Sequence, residues 1–493
     1  MQRPMAVVTA ATAAVVLLAG CGGKDDKSST TPEGGGASTA TTPSAPPVAS
    51  FDPPKAFAAA SAFGIPRTPN DNEYSLKAGM VGQTSLIAGK TGVTGRNIAA
   101  QGDPWTAQAN PAATTKTLDL TAPMGVQLDG KDVVAMAYVQ KDEGNGTQKA
   151  KGQVVFQWLD ATDGKKVAEV TADLTPVLGP GQGGDDVVSQ SYDAATGQIV
   201  VGVGADGQEA AKKGGEVFTV YADPKTKKSS VIPLVTPAGV LNGVVAGAKG
   251  KNQEGAADGT VVLADGATGK ITKQVPTKQD YLNPTGSGSQ RAYLSSNMYV
   301  GNDKYSSAIY SVDLATGAVV QTKWSLTTDR VNAKCWGDQA KAVVCTGGGN
   351  GGSEILGFDD TTGKKAWGYT DKSANRVVPT VTAAFHGIVY AQTEAQPVLM
   401  DAATGNDVPT TTPTPTTGAT PTTGATPTEG ATPTGTPSQG SDPGSANGSD
   451  MSLYDGKTQS PDAVTQYGGV YLQPAGGNSY DLQTILIALA PTA

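Results

Sequence analysis

The chain has 493 residues, of which 64 are glycine and 32 proline, so about a fifth of its positions disfavour helix interiors and a mainly helical fold is excluded. At 38% hydrophobic it can bury a core, or several small repeated ones, while aromatic residues (5%) and charged residues (16%) are sparse. The net charge of −8 argues against a nucleic-acid partner, and the single histidine, His386, weighs against His-based acid–base catalysis and multi-histidine metal sites.

Residues 1–20 carry one positive charge, Arg3, then an apolar run too short to span a membrane comfortably. The run ends in Leu18-Ala19-Gly20-Cys21, which resembles the lipobox of bacterial lipoproteins. The resemblance implies that residues 1–20 are a signal peptide and that Cys21 is lipidated. Two acyl chains there, palmitate among them, would anchor the protein to the outer face of the cell membrane. An ordinary signal peptide with an incidental cysteine is the alternative. Residues 21–50, rich in Gly, Ser, Thr and Pro, read as a flexible extracytoplasmic tether.

From residue 51 to 405 a different pattern holds. Strand-like runs flank an Asp-x-x-Thr-Gly motif at residues 193–197, 265–269, 313–317, 359–363 and 401–405, with looser copies at 160–164 and 223–227. Asp at the head of a tight turn accepts backbone N–H bonds from two and three residues on. Thr adds a hydroxyl contact, and Gly supplies the left-handed position that returns the chain. Calcium ligation is the competing reading, but each motif offers one or two carboxylates where calcium takes six to eight oxygens. The aspartates at 265, 313, 359 and 401 are 48, 46 and 42 residues apart, a blade-like repeat, whereas 193 and 223 are 30 apart and read as successive hairpins of one blade. Strands are expected at 307–312 and 318–324, at 353–358 and 364–369, and as a pair at 291–294 and 297–300. The fold class is therefore all-β, a β-propeller of four-stranded blades.

The segment 358–367, with Asp359, Thr362, Gly363, Lys364 and Trp367, resembles the docking motif of the PQQ-like β-propeller repeat family, especially its extracytoplasmic lipoprotein members. The resemblance spans roughly residues 127–405 and implies that Trp367 wedges between neighbouring blades. Six blades are counted between 123 and 405. Residues 406–450, with Thr-Gly-Ala-Thr-Pro repeats, read as a disordered Thr/Pro/Gly-rich insertion, and 451–493 as closing strands that pair with an N-terminal strand such as 85–88 or 116–120. Seven blades are preferred; eight result if the N-terminal region makes its own.

Cys335 and Cys345 would face each other across a hairpin, 333–336 with 342–345, and an extracytoplasmic location favours a disulfide over a redox-active pair. In propellers the turns within strand pairs line one edge of the disc, and the second-to-third-strand loops and blade connectors line the other. The second edge is the expected binding face. Its candidate ligand-binding residues are Asp142, Glu143 and Asn145, Lys212 and Lys213, Lys304 and Tyr305, and Asn350, with the loop 249–258 beside them. The glycine run 347–352 leads into a strand and lacks Gly-Lys-Ser/Thr, so it is not a phosphate cradle. His386 reads as a turn residue. No catalytic set, metal site or cofactor is expected. The functional expectation is a non-catalytic binding or scaffold module for a protein or cell-envelope component. A quinoprotein-like oxidoreductase or other propeller enzyme is the alternative.

Overall fold

In the computed structural model the described residues are 48–66, 76–99, 103–109, 114–205, 217–326, 330–373, 375–409, 453–474 and 482–492. The signal peptide, Cys21, the tether up to residue 47, Lys212, Lys213, and the 406–450 tract beyond residue 409 lie outside them.

The strands collect into eight antiparallel sheets. Seven are continuous in the chain, at residues 77–108, 115–173, 187–233, 236–276, 281–323, 332–370 and 380–401. The eighth joins Phe57–Pro66 to Ala463–Thr465, Gly468–Pro474 and Leu482–Pro491. Six sheets have four strands, the second carries a fifth, and the seventh has three. This is an eight-bladed β-propeller, the larger of the two counts the sequence allowed, because residues 77–108 make a blade of their own.

Closure uses a strand that the sequence reading passed over. Phe57–Pro66 pairs with Leu482–Pro491 from Phe57↔Pro491 to Pro66↔Leu482, whereas 85–88 and 116–120 belong to the first and second blades. The stretch Phe57-Ala58-Ala59-Ala60-Ser61-Ala62 has little intrinsic strand preference. Its pairing is decided by what it meets, since Ala62 is fully buried in a cluster with Tyr471, Ile485, Ile487 and Leu489.

A second difference lies in the fifth blade. Residues 291–301 form one strand, Arg291–Gly301, paired with Tyr281–Ser287 on one side and Lys304–Asp313 on the other. The polar run Ser295-Ser296-Asn297 looks like a turn in sequence, yet all three are buried and bonded inside the sheet. Asn297 Oδ1 accepts the Val331 N–H at 2.8 Å and the Ser307 hydroxyl at 2.6 Å, and the Ser296 hydroxyl reaches the Ala308 carbonyl at 3.2 Å.

The repeated turns are built as the residue types require. In each full motif the glycine N–H donates to the aspartate carbonyl at 2.7–2.8 Å, and glycine φ lies between 66° and 74°. Those carbonyl-rich turns are also where adjacent blades grip each other. Trp105 Nε1 of the first blade donates to the Ala161 carbonyl of the second at 3.2 Å, and Trp158 of the second to Gly197 of the third at 2.8 Å. The Ser230 hydroxyl of the third blade bonds the Gly266 carbonyl, Lys273 Nζ of the fourth bonds Gly317 at 2.8 Å, and the Ser311 hydroxyl of the fifth bonds Gly363 at 3.0 Å. Trp367 Nε1 then donates to Ala402 of the seventh blade at 2.9 Å, the wedge expected from its motif. Thr382 to Pro461 (2.7 Å) and Thr465 to Gly82 (2.8 Å) complete the circuit. At Gly405 a Cβ would stand 2.4 Å from the Trp367 ring, so the indole sits where only glycine leaves room.

Cys335 and Cys345 are directly opposed in the first two strands of the sixth blade and joined by a disulfide, S–S 2.02 Å.

Three outcomes test this packing. Trp367→Ala should lower stability by about 2–3 kcal/mol, somewhat under the loss for a wholly buried tryptophan, read as a drop of several degrees in thermal midpoint. Replacing both cysteines of the sixth blade by serine should cost about 2–3 kcal/mol, the chain-entropy value for a short closed loop. Protein lacking residues 1–21 should show free thiols only after reduction.

Candidate functional site

The two edges of the disc differ in chemistry. The turn edge carries the Asp-x-x-Thr-Gly loops, in each of which one aspartate oxygen accepts bonds from the turn's own backbone. Asp265 Oδ1 accepts the Thr268 N–H at 2.8 Å and hydroxyl at 2.7 Å, and Asp401 Oδ1 does the same with Thr404, both at 2.8 Å. The Thr268 hydroxyl holds the Asp265 carboxyl below the usual carboxylate range, with the Thr268 N–H second, and Thr361 does the same for Asp359. Asp360, next door, has the opposite sign. Burial pushes its carboxyl up, although it accepts the Gln290 N–H at 2.8 Å and the Tyr293 hydroxyl at 3.1 Å. Among the described residues no three His, Cys, Asp or Glu side chains are grouped to hold a metal ion.

A concavity opens on this turn edge, not on the edge where the sequence reading placed binding. It is the central channel, about 760 Å³, walled by the inner strands of seven of the eight blades. Its walls include Trp336, Phe385, Tyr192 and Met124, and Asp132, Asp462 and His386 are its ionisable lining groups besides tyrosines and Cys335. Cys335 is committed to the disulfide. His386 is the turn residue expected, with φ 41° between the strands Thr380–Phe385 and Ile388–Gln392. Its ring stacks on Phe385, and Nδ1 meets the Asp52 carboxylate. Phe51 N–H also bonds the Gln466 carbonyl at 2.8 Å, and the Tyr390 hydroxyl bonds Pro54 at 2.7 Å. The N-terminal segment therefore joins the ring beside the channel mouth.

Among the described residues, the loops of Asp142, Lys249, Lys304 and Asn350 each link second and third strands and so fall on the opposite edge. Asp142 Oδ1 caps the Gly144 N–H at 3.0 Å, Glu143 pairs with Lys141 at 3.3 Å, and Asn145 and Asn350 are exposed loop residues without a shared centre. Lys304 and Tyr305 sit in a projecting hairpin whose tip, Asn302-Asp303, has both residues left-handed (φ 54° and 56°), a primed two-residue turn. Tyr305 lies directly across from Tyr299, with ring centroids 5.4 Å apart, and 6.4 Å from the Tyr281 ring. The Arg330 guanidinium stands 3.9 Å from the Tyr281 centroid and 5.1 Å from that of Tyr305, and bonds both hydroxyls. The Tyr305 hydroxyl in turn reaches Glu254 at 2.8 Å. Beside this cluster Met298 and Val300 are 37% and 59% exposed. Sequence reasoning found Tyr305 and the loop holding Glu254. It missed Tyr281 at the start of the inner strand Tyr281–Ser287 and Arg330 on the connector to the sixth blade, where no motif marks them, and it missed Asp462 and Trp336 as lining of one channel.

No family model and no curated protein matches the chain. Among solved structures it is similar to uncharacterized protein lmo1340 from Listeria monocytogenes EGD-e (8% identity, 73% of this chain and 94% of that one, TM-score 0.34). It is also similar to BamB from Moraxella catarrhalis (14%, 72% and 88%, 0.35) and to the Dos1 propeller (11%, 71% and 86%, 0.40). Likeness at this level carries no functional argument, and the propeller assignment rests on the strand topology itself.

The turn carboxylates generate a pH prediction. A carboxyl whose folded pKa is depressed adds stability that is present above its unfolded value, about 4, and is lost as pH falls through the folded value. Asp360 has a raised pKa and contributes in the reverse sense. Thr268→Val should lower stability at pH 7 by under about 1 kcal/mol, the net worth of one hydrogen bond. That deficit should shrink as pH falls from 5 to 2, measured as the difference in thermal midpoint from the parent protein.

Proposed function

We propose that this chain is an extracytoplasmic lipoprotein with PQQ-like propeller repeats, anchored by Cys21 to the outer face of the cell membrane. It acts as a non-catalytic binding or scaffold module for a protein or another cell-envelope component. The observation that carries the reading is the loop-edge cluster in which Arg330 lies against Tyr281 and Tyr305 beside exposed Met298 and Val300. Tyrosine and arginine held rigid at a surface are the residue types that dominate binding free energy at protein interfaces.

Both ring cysteines are held in a disulfide ten residues apart, which favours this reading over a quinoprotein-like oxidoreductase relying on adjacent cysteines.

A photo-crosslinker placed at Lys304 on intact cells should yield discrete adducts that Arg330→Glu or Tyr305→Ala reduces by about tenfold or more, the scale of an interface hot spot. A crosslinker at Lys364 on the turn edge should not yield them. Adducts indifferent to both substitutions would sink the loop-edge assignment, and a Cys21→Ser protein that stays with the membrane fraction would sink the anchor.

A further inference from the structure

We infer that the central channel binds a small organic ammonium ion, with Asp462 as counter-ion and Trp336 among its aromatic walls. The inner strand of each blade runs from the loop edge to the turn edge, so a residue at the start of such a strand lies far from the turn edge and one at its end lies close to it. Asp462 directly precedes the inner strand Ala463–Thr465, whereas His386 follows Thr380–Phe385. The carboxylate therefore lies farther along the channel from the turn edge than the histidine does, and both are reached by solvent.

Size and charge select the ligand class. About 760 Å³ falls within the usual range of small-molecule pockets. The lining contains two carboxylates, Asp132 and Asp462, and no lysine or arginine among the described residues. Asp462 Oδ2 accepts the Leu472 N–H at 3.3 Å, a long bond that leaves most of the carboxylate's acceptor capacity unused. The group is open to channel water yet walled by protein on most sides, and this burial pushes its carboxyl above the ordinary range, against the pull of the Leu472 N–H and the Lys334 charge. A partly desolvated carboxylate is stabilised by a cation that brings its charge without needing full hydration, as an alkylated ammonium does.

The Trp336 ring already accepts one cation of this protein. Lys334 Nζ stands 4.9 Å from the Trp336 ring centroid, close enough to act on Asp462 and not among the lining residues. An ammonium ligand would share that electrostatic field with Lys334, so removing the lysine should favour the ligand. The inference is independent of the loop-edge reading, since it concerns the opposite edge.

The test is calorimetric titration of the full-length protein with choline and with its neutral isostere 3,3-dimethyl-1-butanol. Choline should bind and the alcohol should not. Asp462→Asn should weaken choline binding about tenfold or more, the scale of a lost contact to a charged group, and Lys334→Met should tighten it. Should Asp462→Asn fail to fold, the Lys334→Met comparison decides: tighter binding supports the site, unchanged binding overturns it. Equal binding of the alcohol, choline affinity unchanged in folded Asp462→Asn, or no choline heat at tens of millimolar would each overturn the inference. Competition by phosphatidylcholine vesicles would identify a lipid headgroup as the source of the ammonium, and its absence a free cation; either supports the site.

Discussion

Each blade holds the next by a hydrogen-bond donor set against the carbonyls of a turn. A four-stranded antiparallel sheet cannot bury both of its faces alone, so every blade is stable only against its neighbours. At the turn edge that contact is specific. The Asp-x-x-Thr-Gly loop engages its N–H groups within its own turn and with the neighbouring turn of the same blade, and leaves carbonyls free for the next blade. An indole, hydroxyl, ammonium or guanidinium from the preceding blade then fills them. The chemistry of the donor varies from Trp105 and Trp158 to Ser230, Lys273, Ser311 and Trp367, while the acceptor hardly changes. Trp367 is one solution among several.

This division of labour shapes the two edges of the disc. The second-to-third-strand loops carry no such duty and vary in length and composition. In the fifth blade this loop is a projecting hairpin whose Tyr305 meets Arg330 of the next connector. Two candidate surfaces thus arise by different routes, one from the geometry of closure and one from freedom at the loops.

The repeat was readable because it is local. Asp, Thr and Gly at fixed spacing dictate a turn wherever they occur, and alternating residues on either side dictate strands, so six blades and the hairpin of Cys335 and Cys345 followed from neighbours in the chain. Two errors mark where local reading stops. The run Ser295-Ser296-Asn297 has turn composition but lies buried, because Val331 and Ser307 satisfy it from distant positions. The alanine-rich segment Phe57–Pro66 has tether-like composition but becomes the closing strand, because Leu482–Pro491 offers it an unpaired edge.

The order of residues thus settles the fold class, the turn chemistry, the facing cysteines and the edge on which the variable loops gather, since each rests on contacts within about a dozen positions. The count of eight, the closing strand, the reach of Tyr305 to Glu254, and the placing of Asp462 and Trp336 in one channel depend on which blade lies beside which. A ring closes only once, and its closure brings together residues hundreds of positions apart whose spacing carries no local signal.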